Sequence, residues 1–300
     1  MKQQLTVKNP QDGVVLHGNL FYEDTKAKGL ILLLHGMAEH KERYDYVIAA
    51  LNKDGYAVLS TDERGHGESA VVKGYFGKEN GWYLNVQDQH ALVEEARKIV
   101  DAPLILFGHS MGTLVARSFL KRYENEITKV VLTGTPSNNK AVGVAIGLCN
   151  MIKAFKGEEY RSPLLNNLCF GAFNKAVKDP KTDYDWLSVN EENVRKYIAD
   201  EDCGYTFTVL GFKDMFGGMK DVYGLDGWNV KKPDLPIHFY SGSEDPCMTN
   251  LGGLKEAVEI LKKQGYHDVD YTLYNGYRHE ILNEEIRDQV IADIVNFLNA

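Results

Sequence analysis

Gly108-His109-Ser110-Met111-Gly112 follows the apolar run Leu104-Ile105-Leu106-Phe107 and precedes the helix-like run Thr113 to Lys121. The order is strand, sharp turn, helix. A G-x-S-x-G motif in that setting is a nucleophile elbow: the turn is too tight for side chains at its flanks, and the serine hydroxyl is pushed out above the sheet. The same turn aims the backbone N–H of Met111 at the space where an oxyanion would develop. The bare pattern also arises by chance. The strand before it and the helix after it are what make Ser110 a candidate nucleophile.

Working outward, strand patterns recur with helices between them. Leu5–Lys8 and Val14–Tyr22 read as an antiparallel pair. Leu30–His35 is continuously apolar, as a strand buried on both faces should be. Tyr56–Asp62, Leu104–Phe107, Val130–Thr133, Ile237–Ser241 and Val269–Tyr274 complete a set of eight. Helical patterns fall at about Tyr44–Lys53, Trp82–Val100, Gly112–Tyr123, Leu254–Gln264 and Glu284–Leu298. In the last of these, Val290, Ile291, Ile294, Val295 and Leu298 form one face. This alternation predicts an α/β fold with a mostly parallel eight-stranded sheet flanked by helices. Residues 136–232 break it: they hold helix-like pieces such as Val142–Phe155 and Glu191–Ala199, many aromatics, and no clear buried strand. An insertion of this length is too long for a plain loop. It is expected to be a helical cap (136–232) set after the sixth strand, over a core formed by residues 1–135 and 233–300.

The bulk properties remove several function classes. The chain has 300 residues, 44% of them hydrophobic and 25% charged, with a formal net charge of −8. An acidic chain without basic runs is a poor partner for nucleic acid. The N-terminal stretch lacks an apolar signal core. The longest apolar runs, about five residues, are far short of the roughly 20 that span a bilayer. No stable membrane insertion and a cytoplasmic location are therefore expected. Cys149, Cys169, Cys203 and Cys247 form no C-x-x-C pair, which predicts reduced thiols and no metal-site spacing. No cofactor is expected.

A serine hydroxyl needs a base, and the base needs an orienting acid. Behind the elbow, the acid should follow a late strand and the histidine should follow the last strand. Asp245 follows Ile237–Ser241 and is the candidate acid; Glu244 is the runner-up, with Asp268 and Asp270 more distant. His279 follows Val269–Tyr274, precedes the last amphipathic helix, and is the candidate base. His17, His90, His238 and His267 read as ordinary surface or core histidines. The loop His35-Gly36-Met37-Ala38-Glu39-His40 follows the third strand. There Gly36 allows a turn that brings the Met37 N–H toward Ser110, a second oxyanion donor beside Met111. His35 is expected to hold that loop, and His109 to support the elbow. Asp62–Ser69 lacks the lysine and spacing of a phosphate loop and reads as a structural loop near the elbow. Cys247 is expected to line the site as a thiol of ordinary reactivity.

Together these pieces resemble the α/β-hydrolase superfamily, and more narrowly its serine-aminopeptidase-type branch with monoacylglycerol lipases and lysophospholipases. The narrower likeness rests on H-G-M-A-E-H-K-E-R-Y at 35–44, D-E-R-G-H-G-E-S at 62–69, G-H-S-M-G at 108–112, G-S-E-D-P at 242–246 and R-H-E-I-L-N-E at 278–284. The first is the most specific to that branch. The resemblance implies the α/β-hydrolase fold, Ser110, Asp245 and His279 as nucleophile, acid and base, and the Met37 and Met111 amides as oxyanion hole. One departure is Ala38, where monoacylglycerol lipases usually carry a second glycine. The expected activity is hydrolysis of a small-molecule acyl ester through an acyl-enzyme. Two alternatives remain: a serine aminopeptidase, with cap carboxylates binding a free amine, and a non-catalytic small-ligand binder on the same fold. The sequence leaves oligomeric state open.

Overall fold

A computed structural model describes all of residues 1–300. The strands are β1 (Lys2–Lys8), β2 (Val15–Phe21), β3 (Leu30–Leu34), β4 (Ala57–Thr61), β5 (Leu104–His109), β6 (Ile127–Thr133), β7 (Ile237–Gly242) and β8 (Val269–Tyr274). They form one sheet in the order β1-β2-β4-β3-β5-β6-β7-β8. β1 and β2 pair antiparallel, as do β2 and β4; every pairing from β4 to β8 is parallel. The central strands β3 and β4 are buried at every residue, so both faces must be covered. The edge strand β1 is mostly polar and buries only Leu5, which blunts an otherwise open edge.

Period-2 geometry splits β3 between two cores. Leu30, Leu32 and Leu34 join the larger apolar cluster, and Ile31 and Leu33 the smaller one. Helices α1 (Asp45–Lys53), α2 (Gly81–Arg97) and α3 (Met111–Tyr123) follow their strands in turn. Residues 136–232 supply α4 (Val142–Lys156), α5 (Pro163–Phe170), α6 (Glu191–Ala199) and α7 (Val209–Tyr223), and α8 (Leu251–Gln264) and α9 (Arg287–Asn299) close the chain. The smaller cluster is filled by α1 and α9 through Ile48, Leu51, Ile291 and Ile294. The larger one is filled by α2, α3, α7 and α8. No helix is long and apolar enough to cross a membrane.

The segment 136–232 is not uniform. Helix α7, which the sequence pattern does not separate, packs against the core. Its Asp221 carboxylate accepts from Ser118 Oγ at 2.8 Å, and its Val222 carbonyl accepts from Arg117 Nη2 at 3.1 Å. A Cβ at Gly218 would lie 2.1 Å from the Trp82 ring of α2. Thr208 caps α7 by accepting from the Gly211 N–H at 3.0 Å. The helix returns the chain to the start of β7, so it serves as the β6-to-β7 crossover. Its three glycines disfavour helix on propensity. Close packing against Trp82 and Gly74 explains at least Gly218 and Gly211.

Candidate active site

The elbow forms where β5 ends and α3 begins. Ser110 sits at φ 51°, ψ −119°, a region that non-glycine residues rarely occupy. Its neighbours could not be larger. A Cβ at Gly108 would lie 2.4 Å from the Gly112 oxygen, and one at Gly112 would lie 2.2 Å from the Leu34 oxygen. The Ser110 N–H donates to Thr133 O at 2.9 Å, fixing the turn to β6.

Three residues distant in sequence meet at this point. His279 Nε2 lies 2.8 Å from Ser110 Oγ. His279 Nδ1 lies 3.0 Å from both carboxylate oxygens of Asp245. Asp245 also accepts from the Cys247 N–H at 2.8 Å. Glu244, Asp268 and Asp270 are exposed and take no part. His279 and Asp245 are each 2% exposed, so the pair works in a poorly solvated place. Burial alone would lower the His279 pKa, but the Asp245 carboxylate outweighs it and holds it well above the ordinary value. The other four histidines noted above stay outside the site: His90 meets Glu126, His238 meets Thr272 and His267 meets Asp234, while His17 Nδ1 is buried without a partner.

Gly36, Met37, His109, Ser110 and Met111 line one cavity together with His279. Met111 opens α3, so its N–H belongs to the first-turn amides that have no acceptor within the helix. The Met37 loop is held from beneath. His35 Nδ1 meets the Gly36 carbonyl at 2.7 Å while its Nε2 accepts from the Glu63 N–H at 3.1 Å. His66, from the 62–69 segment, accepts from the Ala38 N–H at 3.2 Å. His109 Nδ1 meets Thr133 Oγ1 at 3.0 Å, and burial pulls its pKa down to about 4, leaving it neutral. Cys247 Sγ is 3.8 Å from His279 Nε2; burial pushes the thiol up to about 11, so it remains protonated.

Ala38, the residue at the glycine departure, adopts φ 52°. A left-handed alanine costs about 1 kcal/mol. It is over-determined by its surroundings: beside His66 on its N–H, its carbonyl accepts from Tyr197 Oη at 3.1 Å and from the Gly204 N–H at 2.9 Å. Both donors come from residues 136–232, so that segment grips the loop beside Ser110.

Sequence reasoning missed a buried charge network behind the loop. Glu39 accepts from the Gly36 N–H at 2.5 Å, from Tyr44 Oη at 2.9 Å and from Arg43 Nη1 at 2.5 Å. Arg43 also donates to both oxygens of Glu280, at 2.7 and 2.8 Å. Asn193 of α6 donates to Glu280 at 2.6 Å. Burial would raise the Glu280 carboxyl, but Arg43 overrides it and holds the group down at about 2. The i, i+4 spacing of Glu39 and Arg43 is visible in the sequence. Their partner Glu280, beside His279 but 237 positions from Arg43, is not.

The cavity measures about 1150 Å³, and 22 of its 41 lining residues are hydrophobic, the mixture typical of a small-molecule site. Leu148, Leu165, Phe170, Trp186, Phe216 and Met219 supply apolar wall, and Asn138, Asn139 and Lys140 a polar rim. The Trp186 ring stands 5.2 Å from that of His279. Of the aspartates and glutamates in residues 136–232, Asp183 alone reaches the lining.

Residues 25–286 match a family described as serine aminopeptidase, S33. The chain is 26% identical to the monoacylglycerol lipase of Mycolicibacterium smegmatis, covering 95% of this chain and 93% of the relative. It is 31% identical to the phospholipase YtpA of Bacillus subtilis, covering 87% and 91%. Among solved structures, a thermostable carboxyl esterase from Bacillus coagulans, crystallised with glycerol, superposes with a TM-score of 0.90 at 24% identity, covering 99% of this chain and 98% of that one. That last likeness is one of fold.

Proposed function

This chain belongs to the serine aminopeptidase (S33) family of α/β-hydrolases, and from that premise we propose that it is a serine esterase of the monoacylglycerol lipase type. It hydrolyses carboxylic esters, as the named relatives do. The observation that carries the proposed mechanism is the unbroken relay from Ser110 Oγ through His279 to Asp245, with contacts of 2.8 and 3.0 Å. His279 Nε2 takes the Ser110 proton as Oγ attacks the ester carbonyl. The oxyanion is held by the Met37 and Met111 N–H groups. The alcohol leaves with the proton from His279. Water, deprotonated by His279, then frees the acid and restores Ser110.

The insertion supplies the substrate wall, and we assign the cap role to its part before α7. An acyl chain suits the apolar side of the cavity, and a glycerol head suits the asparagines at its rim. The aminopeptidase alternative needs carboxylates around the substrate's free amine. Asp183 is the single insertion acid in the lining, and the nearby Glu39 and Glu280 are already bound to Arg43. Ester cleavage is therefore the better reading. Lysophospholipid is a second substrate reading, favoured by Lys140 at the rim.

Hydrolysis of p-nitrophenyl esters from acetate to palmitate tests the proposal, followed by monoacylglycerol against lysophosphatidylcholine. A maximum at medium or long chains is expected. A maximum at acetate, or faster cleavage of aminoacyl amides than of esters, would refute the lipase-type assignment.

The raised His279 pKa has a kinetic sign. Only neutral His279 can accept the serine proton, so kcat/KM should fall as pH drops through the folded-state pKa. That acid limb is expected above the ordinary histidine value of about 6.5. Asp245→Asn removes the charge that raises it, so the limb should move to lower pH while the maximal rate drops steeply. An acid limb unmoved by this substitution would show that another group controls it.

A further inference from the structure

Outside the cavity, His40, Asp200 and Cys203 converge. His40 ends the loop that carries Glu39, and Asp200 and Cys203 share the turn that follows α6. Their donor atoms, one nitrogen, one carboxylate oxygen and one sulfur, all lie within 4.8 Å of one another. We propose that this triangle binds a divalent transition-metal ion, zinc by preference, as a site separate from the esterase centre.

The donor chemistry supports the assignment. Imidazole, carboxylate and thiolate are the ligands zinc takes, in tetrahedral sites with distances of about 2.0–2.3 Å. The imidazole is already oriented as a metal ligand. Its Nδ1 meets Glu42 Oε2 at 2.9 Å, leaving Nε2 facing Asp200 Oδ2 at 2.8 Å. A carboxylate behind the histidine in this way fixes the tautomer and raises its basicity as a ligand. Asp200 is likewise positioned: its other oxygen accepts from the Asp202 N–H at 2.9 Å. The Cys203 N–H donates to Asp200 O at 3.1 Å, so one turn presents both carboxylate and thiol.

Access is open as well. A cleft of about 740 Å³, polar almost throughout, is lined by His40, Glu42 and Asp200. Water from it can fill a fourth coordination position. Binding releases the thiol proton of Cys203 and the proton that His40 holds between Glu42 and Asp200. The site also touches the oxyanion loop. The residue after Cys203 donates its N–H to Ala38 O, and His40 lies two residues beyond Ala38. A bound ion would therefore pin the insertion to the loop beside Ser110.

Cobalt(II) titration of the full-length, chelator-treated protein tests this, read by the thiolate-to-cobalt absorption band and its displacement by zinc. One ion per chain is expected. Cys203→Ser should abolish the band, and Asp200→Asn should weaken binding by more than about 100-fold, since loss of an outer-shell partner alone costs 10–100-fold. Glu42→Gln should cost about 10–100-fold. Cys247→Ser, which alters the one other cysteine grouped with a histidine and an aspartate, should leave the band intact. Circular dichroism and the thermal midpoint of each metal-free variant report folding independently. No thiolate band at stoichiometric cobalt would overturn the proposal. So would a band that survives both Cys203→Ser and Asp200→Asn but disappears in Cys247→Ser. The esterase reading stands or falls separately, on turnover without metal.

Discussion

Ser110→Ala is expected to lower kcat/KM on a p-nitrophenyl ester by about 10⁴- to 10⁶-fold, with little change in thermal stability. The reason is geometric. His279 Nε2 is 2.8 Å from Oγ and nothing else nucleophilic is comparably placed. The nearest competitor, Cys247 Sγ at 3.8 Å from the same nitrogen, is a thiol pushed up to about 11 by burial. The residual rate should reflect the proposed oxyanion amides of Met37 and Met111 and substrate binding, which the substitution leaves in place. A fluorophosphonate should label the wild-type protein at Ser110 and fail on the variant. Turnover within tenfold of wild type would mean that the relay is not the catalyst.

Arg43→Ala should produce the largest stability loss, about 3–5 kcal/mol, because it leaves Glu39 and Glu280 buried without their cation. Arg43 is the only charged partner of either in this network, and it contacts Glu280 with two nitrogens. Arg43→Lys should recover part of the loss, since an ammonium cannot make the same forked contact. The deficit should depend on pH. Glu280 is held down at about 2, below its ordinary value of 4.5. Its contribution is therefore present above pH 4.5 in the wild type and is lost as pH falls through about 2. Without Arg43 the carboxyl protonates more readily, so variant and wild type should converge as the medium is acidified. Denaturant midpoints at pH 7 and pH 4 would measure this. A variant as stable as wild type at pH 7 would show that the carboxylates find other partners.

The same network marks the border of what the sequence makes legible. The central strands can be read because each is a local apolar run, whereas polar β1 is legible only over its second half, Leu5–Lys8, beside the longer pattern of β2. The meeting of Ser110, Asp245 and His279 can be anticipated because each follows a strand at its C-terminal end. Helix α7 escapes because its signal is spread over three partners and interrupted by glycines that only the Trp82 and Gly74 contacts explain. Arg43 escapes because its role depends on Glu280, at the far end of the chain. Ala38 lies between these cases. The sequence shows a missing glycine there, and the structure shows φ 52°, the conformation a glycine would have taken freely.

The course of α7 also says which part of this protein can be exchanged. Pro136, Ser137 and Thr206 all line the same cavity, so the excursion between them begins and ends beside one site. The crossover that closes the sheet begins only after it, at Val209. A lineage, or a designer, could replace the excursion wholesale and acquire a new substrate range without re-solving the fold. The boundary for such a graft lies before Thr208, because α7 belongs to the scaffold that any replacement would have to inherit.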